Sequence, residues 1–216
     1  MEERIKLANN LKVLRFSCMK CGRCCKDEKT FVNITFQDIL RLHTGLKYSL
    51  EDIMEVIGFY TFTDVNVKEF MNHMVYSPLH TEKGLAYIGL LKKKNYRCTF
   101  LDQEDNCTIY PHRPTICRTF PFTYLLSDNG KSITKTIGYT RKGIEYCPGI
   151  KKTASIIKKK KISELLVKSL AEIVADAKMI ETWNRMVKKK QITPKAGKYI
   201  ASILLMERKL KEEYSS

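Results

Sequence analysis

Cys18-Met19-Lys20-Cys21-Gly22-Arg23-Cys24-Cys25 is the stretch on which the reading of the whole chain turns. Thiolates are soft ligands that suit zinc and iron–sulfur clusters. Three cysteines at steps of three on a tight loop can converge on one centre, and Gly22 lets the backbone turn. Zinc ribbons usually offer one C-x2-C pair and a distant second pair. A C-x2-C-x2-C run is instead the spacing that wraps a cubane iron–sulfur cluster, with a fourth cysteine from elsewhere. In bacterial ferredoxins a cysteine followed by proline belongs to that pattern, and Cys147-Pro148 offers one at long range. Cys25 is followed by Lys26, so the contiguous ferredoxin run is absent.

The remaining cysteines are dispersed. Cys98 and Cys107 flank a polar stretch, Asp102 to Asn106, that reads as a hairpin loop able to bring their side chains together. Cys117 follows Arg113-Pro114 and is expected in the first turn of a short helix, where free N–H groups and the helix dipole favour a thiolate. All eight cysteines (Cys18, Cys21, Cys24, Cys25, Cys98, Cys107, Cys117 and Cys147) are candidate metal ligands. Eight permit two four-ligand centres, and spacing does not divide them between the two.

The 216 residues include 39 Lys or Arg against 23 Asp or Glu, a formal net charge of +16, with 44% hydrophobic residues. That length and composition support a real core and argue against a wholly disordered chain. No stretch approaches the roughly 18 apolar residues of a membrane-spanning helix, so no transmembrane segment is expected. Met1 to Leu7 carries acids and no apolar run, unlike a secretory signal, and a cytoplasmic location follows as the expectation. Reduced thiols there disfavour a disulfide framework. A thioredoxin-like pair at Cys21 and Cys24 lacks its βαβ setting and leaves Cys18 and Cys25 without a role. The radical S-adenosylmethionine spacing C-x3-C-x2-C is missing, because position 17 is Ser. Neither a G-x-G-x-x-G loop nor a P-loop is present.

Composition divides the chain near Gly149 into a cysteine-bearing module, residues 1–150, and a basic helical extension, 151–216. The last 66 residues hold 17 Lys or Arg against 7 Asp or Glu. Within the module, Thr35 with Asp38 and Ser49 with Asp52 have the spacing of helix N-caps. They predict a helix from Phe36 to His43 that stops at Gly45, and a second through Ile53, Val56 and Ile57. Gly84–Leu91, Tyr96–Leu101 and Ser132–Tyr139 are short and β-prone and predict a small antiparallel sheet. In the extension, Ile162, Leu166, Leu170, Ile173, Ala177 and Ile180 fall on one helix face. Thr193-Pro194 reads as an N-cap with proline at the first helical position, opening a last helix striped by Tyr199, Ile203, Met206 and Leu210. The expected class is therefore α+β: a small antiparallel sheet and short helices around a cysteine metal site, followed by a C-terminal helical hairpin.

Other side chains admit two readings each. Arg113 and Arg118, with His112, flank Cys117, either as an anion or substrate clamp or as hydrogen-bond partners of the cysteinyl sulfurs. His43, His73 and His80 are more readily surface or packing residues than ligands, and Trp183 reads as packing. Lys158–Lys161 and Lys188–Lys190 offer a footprint for nucleic acid or an acidic protein. The plainer reading is a lysine-rich solvated helix face, since these runs lack the interleaved aromatics that stack on bases.

Phe16-x-Cys18-x-x-Cys21-Gly-x-Cys24-Cys25, then Cys98-x-Phe100-Leu101, Cys107-x-Ile109-Tyr110, Arg113-Pro114-x-x-Cys117-Arg118-x-Phe120-Pro121 and Cys147-Pro148-Gly149, resembles the YkgJ-type CxxCxxCC cysteine-cluster family. The resemblance spans roughly residues 14–150 and takes in all eight cysteines. It implies a zinc- or iron-chelating or iron–sulfur protein, of a kind often labelled an oxidoreductase. A larger relative, the flagellin lysine N-methylase, carries a similar cysteine module with an iron–sulfur cluster, so the resemblance also admits a protein-modifying, methylase-like enzyme.

These readings lead to a cytoplasmic protein holding an iron–sulfur cluster, 4Fe–4S favoured and zinc the alternative, in redox or cofactor-dependent chemistry. A second hypothesis is a structural-zinc module that presents its Lys-rich helices to nucleic acid or a protein partner; a third is metal storage or delivery. No catalytic residue is identifiable from the sequence.

Overall fold

Two capping boxes shape the chain just after the cysteine loop. The Thr35 side chain accepts the Asp38 N–H while Asp38 accepts the Thr35 N–H, and Ser49 and Asp52 repeat the exchange. Each satisfies two of the donors that a helix start leaves open. We describe the fold from a computed structural model that covers residues 2–9, 12–28, 30–61, 76–128 and 133–214, with 126–128, 133–134 and 208–214 as backbone only. Helices α1 (Glu2–Asn9), α2 (Arg23–Lys26), α3 (Phe36–Leu46) and α4 (Leu50–Val56) are followed by strands β1 (Ile57–Tyr60), β2 (Leu79–Thr81) and β3 (Gly84–Leu90). A 3-10 turn (Tyr110–His112), α5 (Thr115–Thr119), β4 (Phe122–Asp128), β5 (Ile133–Tyr139) and α6 (Arg141–Tyr146) come next. The long α7 (Lys159–Lys188) and α8 (Ala196–Tyr214) complete the order. The class is α+β, with two small antiparallel sheets: β1-β3-β2 and the hairpin β4-β5.

Several expectations shift in detail. Helix α3 runs through Gly45 because Lys47, at φ 57, supplies the left-handed C-cap and bonds the His43 carbonyl. Gly45 meets a different need: a Cβ there would fall 2.1 Å from His112 Nδ1. Ile57 leaves the helix and opens β1, opposite Leu90. Tyr96–Leu101 is no strand, because Tyr96 adopts φ 62 and bonds back to the Lys93 carbonyl in a turn. Only single bridges remain there, Lys92 with Cys98 and Leu101 with Cys107. Helix α8 starts two residues beyond Thr193-Pro194, and its Ala196 N–H is taken by Glu82, from the turn between β2 and β3. His73 and Ser132 lie outside the described residues.

The chain packs as two units. The first comprises residues 1–30, 100–108 and 115–170. Its core gathers Leu14, Phe122, Tyr139, Ile150, Ile162 and Leu166, with Phe16, Ile144 and Cys147 packed against it. Residues 14–17 run alongside 155–157: Phe16 N–H bonds the Ser155 carbonyl, and Ile157 N–H the Leu14 carbonyl. Tyr139 clamps the same segment, its hydroxyl accepting from Arg15 N–H at 2.7 Å and donating to the Arg15 carbonyl at 2.9 Å.

The second unit comprises residues 31–99, 109–114 and 171–216. Its three-stranded sheet and helices α3, α4 and α8 bury Ile39, Leu42, Ile53, Leu79, Tyr199, Ile200 and Ile203. Trp183 packs edge-on against Tyr199 and donates its indole N–H to the His80 carbonyl. The buried face of α7 departs from the expected apolar stripe: Leu170 is exposed, while Ser169, Glu172 and Asp176 are buried. The two acids are held by partners. Glu172 takes Arg41 in a two-pronged pair, at 3.0 and 2.7 Å, and the same guanidinium meets Asp38. Asp176 accepts the Phe36 N–H at 2.8 Å, at the start of α3. Lys159–Lys161 open α7 and Lys188 closes it.

Burial, opposed by the Phe36 N–H and reinforced by Asp38, pushes the Asp176 carboxyl up to about 7. A folded value above the unfolded one means stability is full below the ordinary carboxylate range and falls as pH rises towards 7. Each pH unit in that window is worth about 1.4 kcal/mol at most. Asp176→Asn keeps an acceptor for Phe36 and should flatten this slope. Thermal melts of both proteins from pH 4 to 8 should therefore diverge, the variant gaining on the wild type as pH rises.

Candidate metal centre

Cys18, Cys21, Cys24, Cys25, Cys107, Cys117 and Cys147 all belong to the first unit, and Cys98 to the second. All eight are thiols with no disulfide among them. The loop from Cys18 to Cys25 changes direction sharply at two left-handed residues, Lys20 at φ 49 and Gly22 at φ 64, on either side of Cys21. Cys25 N–H then closes on the Gly22 carbonyl at 2.8 Å and starts α2, which carries Cys24 and Cys25 with their sulfurs 3.7 Å apart. Gly22 is required twice over: a side chain would resist its φ, and a Cβ would sit 3.0 Å from Asp105. The hairpin at Leu101–Cys107 thus packs directly on this turn.

Cys147 reaches the loop through two independent supports. Helix α6, capped by Thr140 onto the Gly143 N–H, ends at Cys147, whose own N–H bonds the Gly143 carbonyl. Immediately beyond, Ser17 N–H bonds the Gly149 carbonyl at 3.1 Å, so the chain at 147–149 lies alongside the residue before Cys18. Burial pushes the Cys147 thiol up. A Gly149 N–H to its sulfur counteracts this, while charge on Cys24, Cys21 and Cys18 adds to the rise. Cys18, Cys21 and Cys24 are therefore each within electrostatic reach of Cys147.

The other cysteines are placed differently. Cys107 pairs with Leu101 across the hairpin, whose polar loop is closed by Asp102 accepting the Asn106 N–H. Cys98 bridges to Lys92 and is buried where its charge bears on Tyr60. Cys117 is half-buried in α5, within its first turn. Arg113 donates to the Tyr110 carbonyl and lies over the Tyr110 ring at 3.6 Å, while Arg118 is exposed on α5. His43 bonds the Tyr48 carbonyl and faces Glu207 at 3.8 Å, and His80 is exposed.

Among the described residues, no three His, Cys, Asp or Glu side chains are arranged to hold a metal ion. The donor set itself nonetheless fits a soft metal. It offers four reduced thiols from one loop and one adjoining chain, with Cys18 and Cys24 exposed enough to change rotamer. Zinc or an iron–sulfur cluster would find sulfur donors in number, with the Gly149 N–H already directed at one of them.

The charged residues around α2 are ones that the sequence reading passed over. Lys26 pairs with Asp105, and Asp27 with Lys142. Tyr146, next to Cys147, is pushed up to about 12, chiefly by burial, with a hydrogen bond to Thr30 acting against the rise. Adjacency to Cys25 and Cys147 was the available signal. Partners 79 and 115 residues away were not.

The close approach at Gly149 gives a test of this frame. A Cβ at that position would lie 2.6 Å from the Ser17 carbonyl oxygen and 2.8 Å from the Phe16 ring. Gly149→Ala should therefore lower stability by about 1–3 kcal/mol, the usual range for overpacking, as read by urea unfolding. A Ser at the same place should do no better.

Comparison with known proteins agrees with the chemistry of the cysteines. The CxxCxxCC family, described as a "Putative zinc- or iron-chelating domain", matches residues 17–148. Among curated proteins, the uncharacterized protein MJ0661 of Methanocaldococcus jannaschii is 28% identical over 149 residues, covering 68% of this chain and 65% of the relative. The chain thus spans somewhat less than two thirds of that relative's length. No solved structure matches, and no helix among the described residues is long and apolar enough to cross a membrane. With its match running through the cysteine loop to Pro148, the chain belongs to the CxxCxxCC family of zinc- or iron-chelating domains.

Proposed function

We propose that Cys18, Cys21, Cys24 and Cys147 hold one metal centre, and that this centre is an iron–sulfur cluster, 4Fe–4S, serving redox or cofactor-dependent chemistry in the cytoplasm. The observation that carries the reading is the backbone bond from Ser17 to Gly149, which lays the distant Cys147-Pro148 against the C-x2-C-x2-C loop. Three thiols at steps of three plus one remote Cys-Pro is the donor pattern of a cubane cluster. Family membership supports zinc or iron alike, so zinc is the competing occupant. Cys25, Cys107 and Cys117 stand outside the set of four in the same unit, and Cys98 in the other.

Closing the four sulfurs on an ion requires rotation of the exposed Cys18 and Cys24 and loss of their protons. Binding and local ordering are then one event, as in small metal domains where the energy of binding is folding energy. Backbone N–H donation to a coordinated sulfur, available from Gly149, would help disperse its charge.

Anaerobic purification with iron, sulfide and zinc analysis tests the reading. Iron and sulfide in near-equal amounts, with visible absorption that bleaches on oxidation, are expected. Colourless protein with stoichiometric zinc and no sulfide, despite ample iron during expression, would refute the cluster. Ligand identity is tested separately. Cys21→Ala and Cys147→Ala should each lose metal and melt lower, whereas Cys98→Ala should keep wild-type metal content. Loss of metal in the Cys98 variant and not in the other two would overturn the assignment.

A further inference from the structure

Asp27 and Thr30, just after the cysteine loop, meet helix α6, which delivers Cys147, in a polar contact. Asp27 accepts from Lys142 Nζ and from Thr30 Oγ1, and Lys142 Nζ also donates to Thr30 Oγ1 at 2.7 Å. Tyr146, one helical turn beyond Lys142 on the same face, bonds Thr30 as well, with Phe120 stacked at 6.1 Å between centroids. Lys26, the residue before Asp27, pairs with Asp105 of the hairpin. Two adjacent residues at the C-terminal end of α2 are thus tied to different parts of the unit, and the tie at Asp27 runs to the helix that ends at Cys147.

The Lys142 and Asp27 side chains are 39% and 25% exposed. An ion pair so placed adds little to global stability, about 0–1 kcal/mol. Its consequence is geometric: it joins residues 115 apart in sequence, one beside Cys24 and Cys25 and the other on the helix of Cys147. Metal ligands must be held to within about half an ångström of a productive arrangement. We propose that Lys142, Asp27, Thr30 and Tyr146 form a latch that positions Cys147 against the cysteine loop, and so sets how tightly the four-thiolate centre holds its metal. The proposal rests on the ligand assignment above, and Lys142 is its positioning residue. Outer partners of this kind typically change metal affinity by about 10–100-fold when removed.

The test is a competition titration of metal-free full-length protein with Co2+ against a chelator, followed by thiolate-to-cobalt absorption under anaerobic conditions. Lys142→Met and Asp27→Asn should each weaken Co2+ binding by about tenfold or more, and the double variant should be little worse than either single one. Lys142→Arg should restore most of the affinity, and Tyr146→Phe should weaken it by a smaller factor. A second readout needs no metal: in the metal-free protein, Lys142→Met should speed alkylation of Cys147 by iodoacetamide and leave that of Cys107 unchanged. Co2+ affinity in Lys142→Met within twofold of the wild type, with unchanged Cys147 alkylation, overturns the latch. A wild type that shows no thiolate-bound Co2+ overturns the ligand assignment instead, and the latch with it.

Discussion

Everything in the first unit depends on the antiparallel contact between residues 14–17 and the stretch from 149 to 157. It is made of main-chain bonds: Ser17 to Gly149, Phe16 to Ser155 and Ile157 to Leu14. A contact between segments so far apart in sequence carries a loop-closure cost, and the apolar cluster around Leu14, Phe122 and Ile150 is what offsets it. Tyr139 adds a fixed point, since its hydroxyl both accepts from and donates to the backbone of Arg15. The backbone groups satisfied here are the ones immediately before Cys18 and after Cys147. The core therefore sets the separation between the first and last cysteines, and the loop between Cys18 and Cys25 has only local freedom left.

Much of this was legible in the residues, and the limits have physical causes. The two capping boxes follow from side chains three positions apart, so sequence shows them directly. The ends of the elements do not behave that way. Lys47 takes a left-handed conformation that glycine would have advertised, and Glu82 caps α8 from 114 residues away. On α7 the 3.6-residue period was readable, but the occupancy of its buried face was not. Acids at 172 and 176 look like solvent positions until Arg41 and the Phe36 N–H are brought against them. Among the cysteines, local spacing identified the loop and chemistry suggested a remote Cys-Pro. The register of the hairpin, with Leu101 opposite Cys107, was not readable from the spacing of the cysteines.

The polar cluster of the second unit shows a different constraint. Arg41 meets two carboxylates, while Asp176 accepts the Phe36 N–H and stands near the buried Tyr199. Burying a carboxylate without a cation is costly, and the usual resolution is to take up a proton. The upward displacement of Asp176 expresses that resolution. The benefit is a satisfied N–H at the start of α3, which an apolar residue at 176 would leave open. Helix α3 is therefore fixed by a group whose charge state is itself set by the packing.

The same electrostatic logic, applied to the cysteines, points the other way. Around Cys147 the nearby groups are thiols, and ionising one raises the cost of ionising the next. Cys18 and Cys24 are the exposed members of this group, and Cys21 and Cys147 are partly buried. A multivalent cation bound by the proposed set would displace the thiol protons and offset this repulsion. Two features limit how far the sulfurs must travel, the Gly22 turn under Asp105 and the chain from Gly149 along Ser17. For the proposed ligand set, the backbone turn and the Ser17–Gly149 bond hold the main chain, and any further approach of the sulfurs falls to side-chain rotation.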